Sequence, residues 1–155
     1  EKYRESLRLI YSELSKSFDK IGYITVNKPF SNVMDIMSKE NLNVNKFYFV
    51  DAITATVKAP PIVNNCMFVS SPTALTDIGL AFTALMTEKN CNIIFFDTIS
   101  TLIIYQDIGS VIKFTHNLIT KASVMGKKAV FLAVKEDSEA LIKDLNMFVD
   151  KIVEI

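Results

Sequence analysis

Along the chain, short blocks of consecutive apolar residues alternate with longer stretches in which apolar residues recur every three or four positions. Residues 2–20 place Leu7, Ile10, Tyr11, Leu14 and Phe18 on one face at helical spacing. Gly22 ends that pattern, and Tyr23-Ile24-Thr25-Val26 reads as a short strand. After Pro29, the positions of Val33, Met34, Ile36 and Met37 predict a short helix to about residue 40. Phe47–Val50 is an apolar strand ending at Asp51. Residues 52–65 carry Pro60-Pro61 and Asn64-Asn65 with no period, so they read as a loop of the length that is usually functional or mobile.

The second half repeats the alternation. Cys66–Val69 is a fourth apolar run, and Ser71 as N-cap with Pro72 at the first helical position predicts a helix through Leu75, Ile78, Ala81, Phe82 and Leu85 to about Asn90. Asn92–Phe96 is a buried strand ending at Asp97. Residues 108–125 form an amphipathic helix that Gly126 is placed to terminate in the left-handed conformation. Ala129–Val134 is a further strand, Ser138 caps a helix to about Phe148, and Lys151–Ile155 reads as a last strand. Continuous apolar strands belong to sheets covered on both faces. The expected class is therefore α/β: one domain over residues 1–155, with a mainly parallel sheet, right-handed crossovers and helices on both faces.

Composition narrows the function classes without naming one. The 155 residues hold seventeen basic and seventeen acidic side chains, and half the residues are hydrophobic. A neutral chain disfavours nucleic acid or an anionic membrane held by overall charge. No apolar run approaches the roughly 20 residues needed to span a bilayer. Cys66 and Cys91 form no C-x-x-C pair, and one His completes no familiar zinc site with them. Two separated, reduced thiols and a charged amino end predict a cytoplasmic protein.

In open parallel sheets, ligands bind beyond the carboxyl ends of the strands. That rule selects Asn27 and Lys28, Asp51, Ser70 and Ser71, Asp97 and Thr98, and Lys135 with Glu136. Ile93-Ile94-Phe95-Phe96-Asp97-Thr98 has the form of a Walker B strand, whose carboxylate holds magnesium beside a phosphate site. An Asp closing a buried strand more often caps the next turn. Ser70-Ser71-Pro72 can present N–H groups to an anion or simply cap its helix. His116 has no Ser, Cys or carboxylate beside it in sequence with which to make a catalytic pair.

Ile94–Tyr105 resembles the segment of RecA-superfamily ATPases of the archaeal KaiC-like type that runs from an apolar strand through Asp-Ser into a Leu-rich turn. Tyr23–Val26, Phe49–Ala52, Val130–Ala133 and Phe148–Val153 resemble other strands of that family, in consistent order along the whole chain. The resemblance implies a RecA-like, P-loop-type three-layer sandwich. It implies ATP and Mg2+ as cofactors if the site survives, with Asp97 as metal ligand and Asp97, Thr98 and Lys2 toward the nucleotide. It also implies self-association or pairing with a related protein.

The departures bear on function. The Walker A loop G-x-x-x-x-G-K-[ST] is absent, and Glu1-Lys2-Tyr3 stands where Gly-Lys-Thr is expected, so only Lys2 matches. Asn27 or Lys28 occupies the place of the family's catalytic Glu, and neither is a carboxylate base. No catalytic residue is assigned. The expected role is a degenerate RecA/KaiC-like domain that regulates or scaffolds by binding partners. Two alternatives stand beside it: an ATPase whose Walker A segment lies upstream of residue 1, and a receiver-like phosphoacceptor using Asp51 or Asp97 with Lys135. In the RecA-like order the strand before Walker A is interior. Without it the flanking strands would face unpaired backbone groups, so either that strand lies upstream of residue 1 or the remaining strands close up.

Overall fold

The structure, a computed structural model, describes residues 2–155. Helix α1 (Lys2–Ser17) precedes β1 (Ile21–Thr25), α2 (Phe30–Lys39) and β2 (Phe47–Asp51). Strand β3 (Cys66–Phe68), α3 (Leu75–Thr87) and β4 (Ile93–Asp97) follow. The order closes with α4 (Ile99–Tyr105), α5 (Ile108–Val124), β5 (Lys128–Phe131) and α6 (Lys135–Leu145). The five strands lie in the order β3-β2-β1-β4-β5, and every pairing is parallel.

Two cores cover the two faces, as the continuous apolar strands require. Leu7, Tyr11 and Leu14 of α1 and Val33 and Met37 of α2 pack on Ile21, Tyr23, Phe49 and Phe95. On the other face, Ile78, Phe82 and Leu85 of α3, Val111 and Leu118 of α5 and Leu141 of α6 pack on Ile24, Val50, Ile94 and Phe96. Gly22 permits the close approach of α3. A Cβ there would stand 2.9 Å from Leu85 Cδ1 and 3.1 Å from Ile94 Cγ1.

Strands β2, β1 and β4 are each bonded on both sides, and β4 pairs with β5 from Ile93↔Lys128 to Phe96↔Phe131, so their backbone groups are paired.

Several expected boundaries need correction. Ser71 and Pro72 do not open α3. Residues 71–74 form a turn in which Ser71 Oγ accepts from Thr73 N at 3.2 Å, and the helix starts at Leu75. Local Ser/Thr side-chain bonds compete here with helical ones. Strand β5 ends at Phe131, and Val134 N donates instead to Ser100 Oγ at 2.7 Å. Ser138 lies inside α6 at a kink, with φ −142°, and its hydroxyl donates to the Val134 carbonyl. Helix α4 is an element that the pattern does not predict, because Ile99–Tyr105 carries too little polar spacing to show a period.

Lys151–Ile155 is not a strand. The segment is exposed throughout, and Glu154 reaches Lys135 at 3.0 Å instead of joining the sheet. By contrast, Gly126 ends α5 as expected, with φ +65°. Among the described residues, no helix is long and apolar enough to cross a membrane.

Candidate functional site

The carboxyl ends of β2, β1 and β4 bring Asp51, Thr25 and Asp97 into one row, with Thr25 in register with both acids. Both carboxylates are completely buried. A buried carboxylate must find donors, and the two acids find different ones.

Asp51 closes on its own loop. It accepts from Ile53 N at 2.7 Å, Thr54 N at 2.9 Å, Thr54 Oγ1 at 2.5 Å and Phe30 N at 2.8 Å. These bonds hold the start of the 52–65 loop, where Thr54–Thr56 forms a 3-10 turn, and they tie α2 to β2. Asp51 is an anchor.

Asp97 is met from two other elements. Along α1, Tyr3, Leu7 and Tyr11 recur every four residues and so share the stripe that faces the sheet. Tyr3 Oη donates to Asp97 Oδ1 at 2.5 Å, and Tyr23 Oη donates to Oδ2 at 2.6 Å. The Tyr11 and Tyr23 hydroxyls lie 2.5 Å apart. Since the one Tyr23 proton goes to Asp97, Tyr11 is the donor of that pair.

The turn after β1 supplies the rest. Thr25 Oγ1 donates to the Lys28 carbonyl at 2.6 Å and accepts from Lys28 N at 3.2 Å, folding the chain back over the strand end. Asn27 Nδ2 then lies 3.3 Å from Asp97 Oδ1 and 3.0 Å from Tyr3 Oη. Lys28 Nζ lies 3.6 Å from Asp97 Oδ2 and donates to Tyr3 Oη at 3.0 Å. It also sits 4.4 Å from the Tyr3 ring centroid, within cation–π range. The peptide bond between Asp97 and Thr98 is cis.

Burial pushes the Tyr3, Tyr11 and Tyr23 phenols well above their ordinary range, and the Asp97 charge pushes them further. At Lys28 burial pulls the ammonium down, against the opposing pull of Asp97. The product is a neutral phenol cage around one carboxylate and one cation.

Outside this cage a cleft of about 590 Å³ opens beyond β1 and β4, lined by Tyr3, Asn27, Thr98, Ser100, Thr101, Ile103, Ile104, Val134 and Asp137. Among the described residues its only charged lining side chain is an acid, Asp137. Asn27 Oδ1 is buried there with no hydrogen-bond partner among the described residues. Thr98 lines the cleft but spends its hydroxyl on capping α4, accepting from Thr101 N at 3.3 Å. Lys2 is exposed on the first turn of α1, and Glu1 lies outside the described residues. The cation at Asp97 is therefore Lys28. Sequence reasoning places Asn27 and Lys28 at this strand end but does not bring Tyr3, Tyr11 and Tyr23 to Asp97. Phenols standing where Phe or Leu would suffice were the available signal.

The remaining candidates lie elsewhere. Lys135 is exposed and pairs with Glu154, away from either buried acid. His116 is exposed on α5, its ring 4.1 Å from that of Phe148. Ser71 shares its hydroxyl with Thr73 at 2.5 Å. Both cysteines are free and buried, and burial raises the Cys66 thiol to about 12 and the Cys91 thiol to about 11. Among the described residues, no three His, Cys, Asp or Glu side chains cluster to hold a metal.

The backbone can be compared with solved structures. It superposes on the crystal structure of a KaiC-like protein from the hyperthermophilic archaeon Pyrococcus horikoshii with a TM-score of 0.59 at 12% identity, over 85% of this chain. The fold is KaiC-like, of the RecA type. This chain spans 60% of the length of that archaeal protein. No protein-family model and no curated protein matches the sequence.

Proposed function

We propose that this KaiC-like domain acts by binding, as a regulatory or scaffolding protein whose ATPase chemistry has been lost. The observation that carries the reading is the occupation of Asp97. Tyr3 and Asn27 take one carboxylate oxygen, and Tyr23 and Lys28 take the other. A magnesium ion needs oxygen ligands free of protein donors and an ordered water shell. An ammonium at 3.6 Å occupies the electrostatic place of the metal. The described residues do not fit a magnesium–triphosphate, since among them the cleft lining holds no Lys or Arg and one Asp.

The receiver-like alternative gains nothing from the geometry, because Asp51 spends both oxygens on the loop and Lys135 faces Glu154.

Equilibrium titration with Mg-ATP, run beside Asp97→Asn, tests the proposal. The expected result is no saturable binding up to millimolar nucleotide and no phosphate release. Saturable binding that the substitution weakens would overturn it.

A further inference from the structure

The amino ends of the strands, at the pole opposite Asp97, carry charge that the cage does not use. Ile21 is in register with both Phe47 and Ile93, and Ile93 with Lys128. The residues one position earlier are Lys46, Lys20, Asn92 and Lys127, so parallel pairing lays them in one row across β2, β1, β4 and β5. Backbone bonds fix the row. Asn92 N donates to Lys20 O at 2.9 Å, and Lys128 N donates to Asn92 O at 3.1 Å. Lys128 and Lys89 bring the lysines to five, with Lys89 Nζ 5.6 Å from the Tyr48 ring centroid and Lys128 Nζ 5.7 Å from that of Phe18.

Local acids do not neutralise this row. The turns that carry it hold Asp19 and Glu88. Lys46 is engaged, donating to the Ser15 carbonyl at 2.7 Å with Asp19 3.9 Å away. Among the described residues, Lys20, Lys89, Lys127 and Lys128 enter no ion pair. Lys127 Nζ donates to the Asn90 side-chain oxygen at 2.8 Å, which holds it beside the row. The convergence is felt at Cys91, where burial raises the thiol and Lys127, Lys20 and Lys89 each pull it back. Lys20, Lys89 and Lys127 follow the ends of α1, α3 and α5, where a cation answers the helix dipole. An ammonium has three donors, and that role spends none of them.

We propose that this lysine row binds the phosphate backbone of a nucleic-acid duplex without reading its sequence. With strands about 4.8 Å apart the row is about 14 Å long, and a duplex presents about eight charges over that length. The side-chain types select the partner. Lysine serves phosphate as a point charge, whereas protein interfaces favour Arg and are poor in Lys. The chain's two Arg residues, Arg4 and Arg8, lie on α1 outside the row. A chain of zero net charge adds no long-range attraction, so the row supports weak, salt-sensitive binding. Tyr3 and Glu154 meet Asp97 and Lys135 at the carboxyl pole, away from this surface. The inference stands whether or not the domain binds nucleotide.

Fluorescence anisotropy of a labelled DNA duplex, titrated with the full chain at salt from about 50 to 200 mM, tests it. Four unpaired lysines predict a Kd of about 1–100 μM near physiological salt, with log K falling against log salt at a slope of about −3 to −4. The double variant Lys20→Gln, Lys128→Gln changes two exposed side chains outside any ion pair. It should bring the slope to about −2 and weaken binding by about tenfold or more. Lys58→Gln, in the exposed part of the 52–65 loop at the other pole, should change neither. No binding at the lowest salt would overturn the proposal, and so would a double variant that keeps the wild-type slope. Tighter binding of poly-glutamate, or of phosphatidylserine vesicles, than of the duplex would replace it with an acidic protein or a membrane as the partner.

Discussion

Tyr23 Oη lies 2.6 Å from Asp97 Oδ2, a phenol on the central strand donating to the acid that ends its neighbour. Both residues are fully buried, so the bond forms in a medium where it is strong and where its loss is costly. Tyr11 stands behind it and Lys28 beside it, so the carboxylate is stabilised by its surroundings.

Tyr23→Phe should therefore destabilise the fold. A hydrogen bond to a charged group is worth about 1.5–3 kcal/mol, and Tyr11 loses its acceptor as well. For a chain of this length, that corresponds to a fall in Tm of about 4–10 °C. Asp97→Asn should cost more, about 3–5 kcal/mol, because it leaves Lys28 half-buried without its counter-charge. Calorimetry of the two variants checks the ranking. A carboxylate kept under strain for catalysis would behave oppositely, with Asp97→Asn raising Tm.

The phenols also set a pH dependence. Tyr3, Tyr11 and Tyr23 titrate higher in the folded state than in the unfolded one, where the value is about 10. Their contribution is complete below about pH 10 and is lost as pH rises toward the folded values, because the unfolded chain releases those protons first. The Cys66 and Cys91 thiols act in the same sense from about 9 upward. Lys28, lowered by burial, acts in the opposite sense and is a single group. Thermal melts from neutral to alkaline pH should show Tm falling with a slope that steepens above about pH 10, and tyrosinate absorbance should appear with unfolding. In Tyr23→Phe the slope should be shallower.

Gly22 offers a purely steric test. An alanine Cβ would press on Leu85 at 2.9 Å and Ile94 at 3.1 Å, and overpacking of a core costs about 1–3 kcal/mol. The reduced entropy of the unfolded alanine chain returns about 0.4–1 kcal/mol. Gly22→Ala should lower the urea midpoint modestly, and Gly22→Val should lower it further. An unchanged midpoint for the valine variant would mean that α3 does not seat against β1 as closely as described.

Much of this architecture is legible in the residues alone. The continuous apolar runs at 47–50 and 93–96 imply strands covered on both faces, and the helical spacing of Leu7, Tyr11 and Leu14 implies a helix lying on them. These signals are local, because burial imposes a period on each element separately. Asp51 and Asp97 at strand ends are likewise visible in sequence.

What tertiary structure alone decided is which groups meet. Tyr3 and Asp97 are ninety-four positions apart, and only the placing of α1 across β1 and β4 brings the phenol to the acid. The meeting of Lys28 with that acid has the same origin, since the turn closed by Thr25 aims Lys28 inward. The closing of β5 onto β4 was likewise undetermined, because an apolar strand carries no record of its neighbour. The residues 151–155 show the converse. Their composition favours a strand, but a strand exists only where an edge pairs with it, and among the described residues none does so.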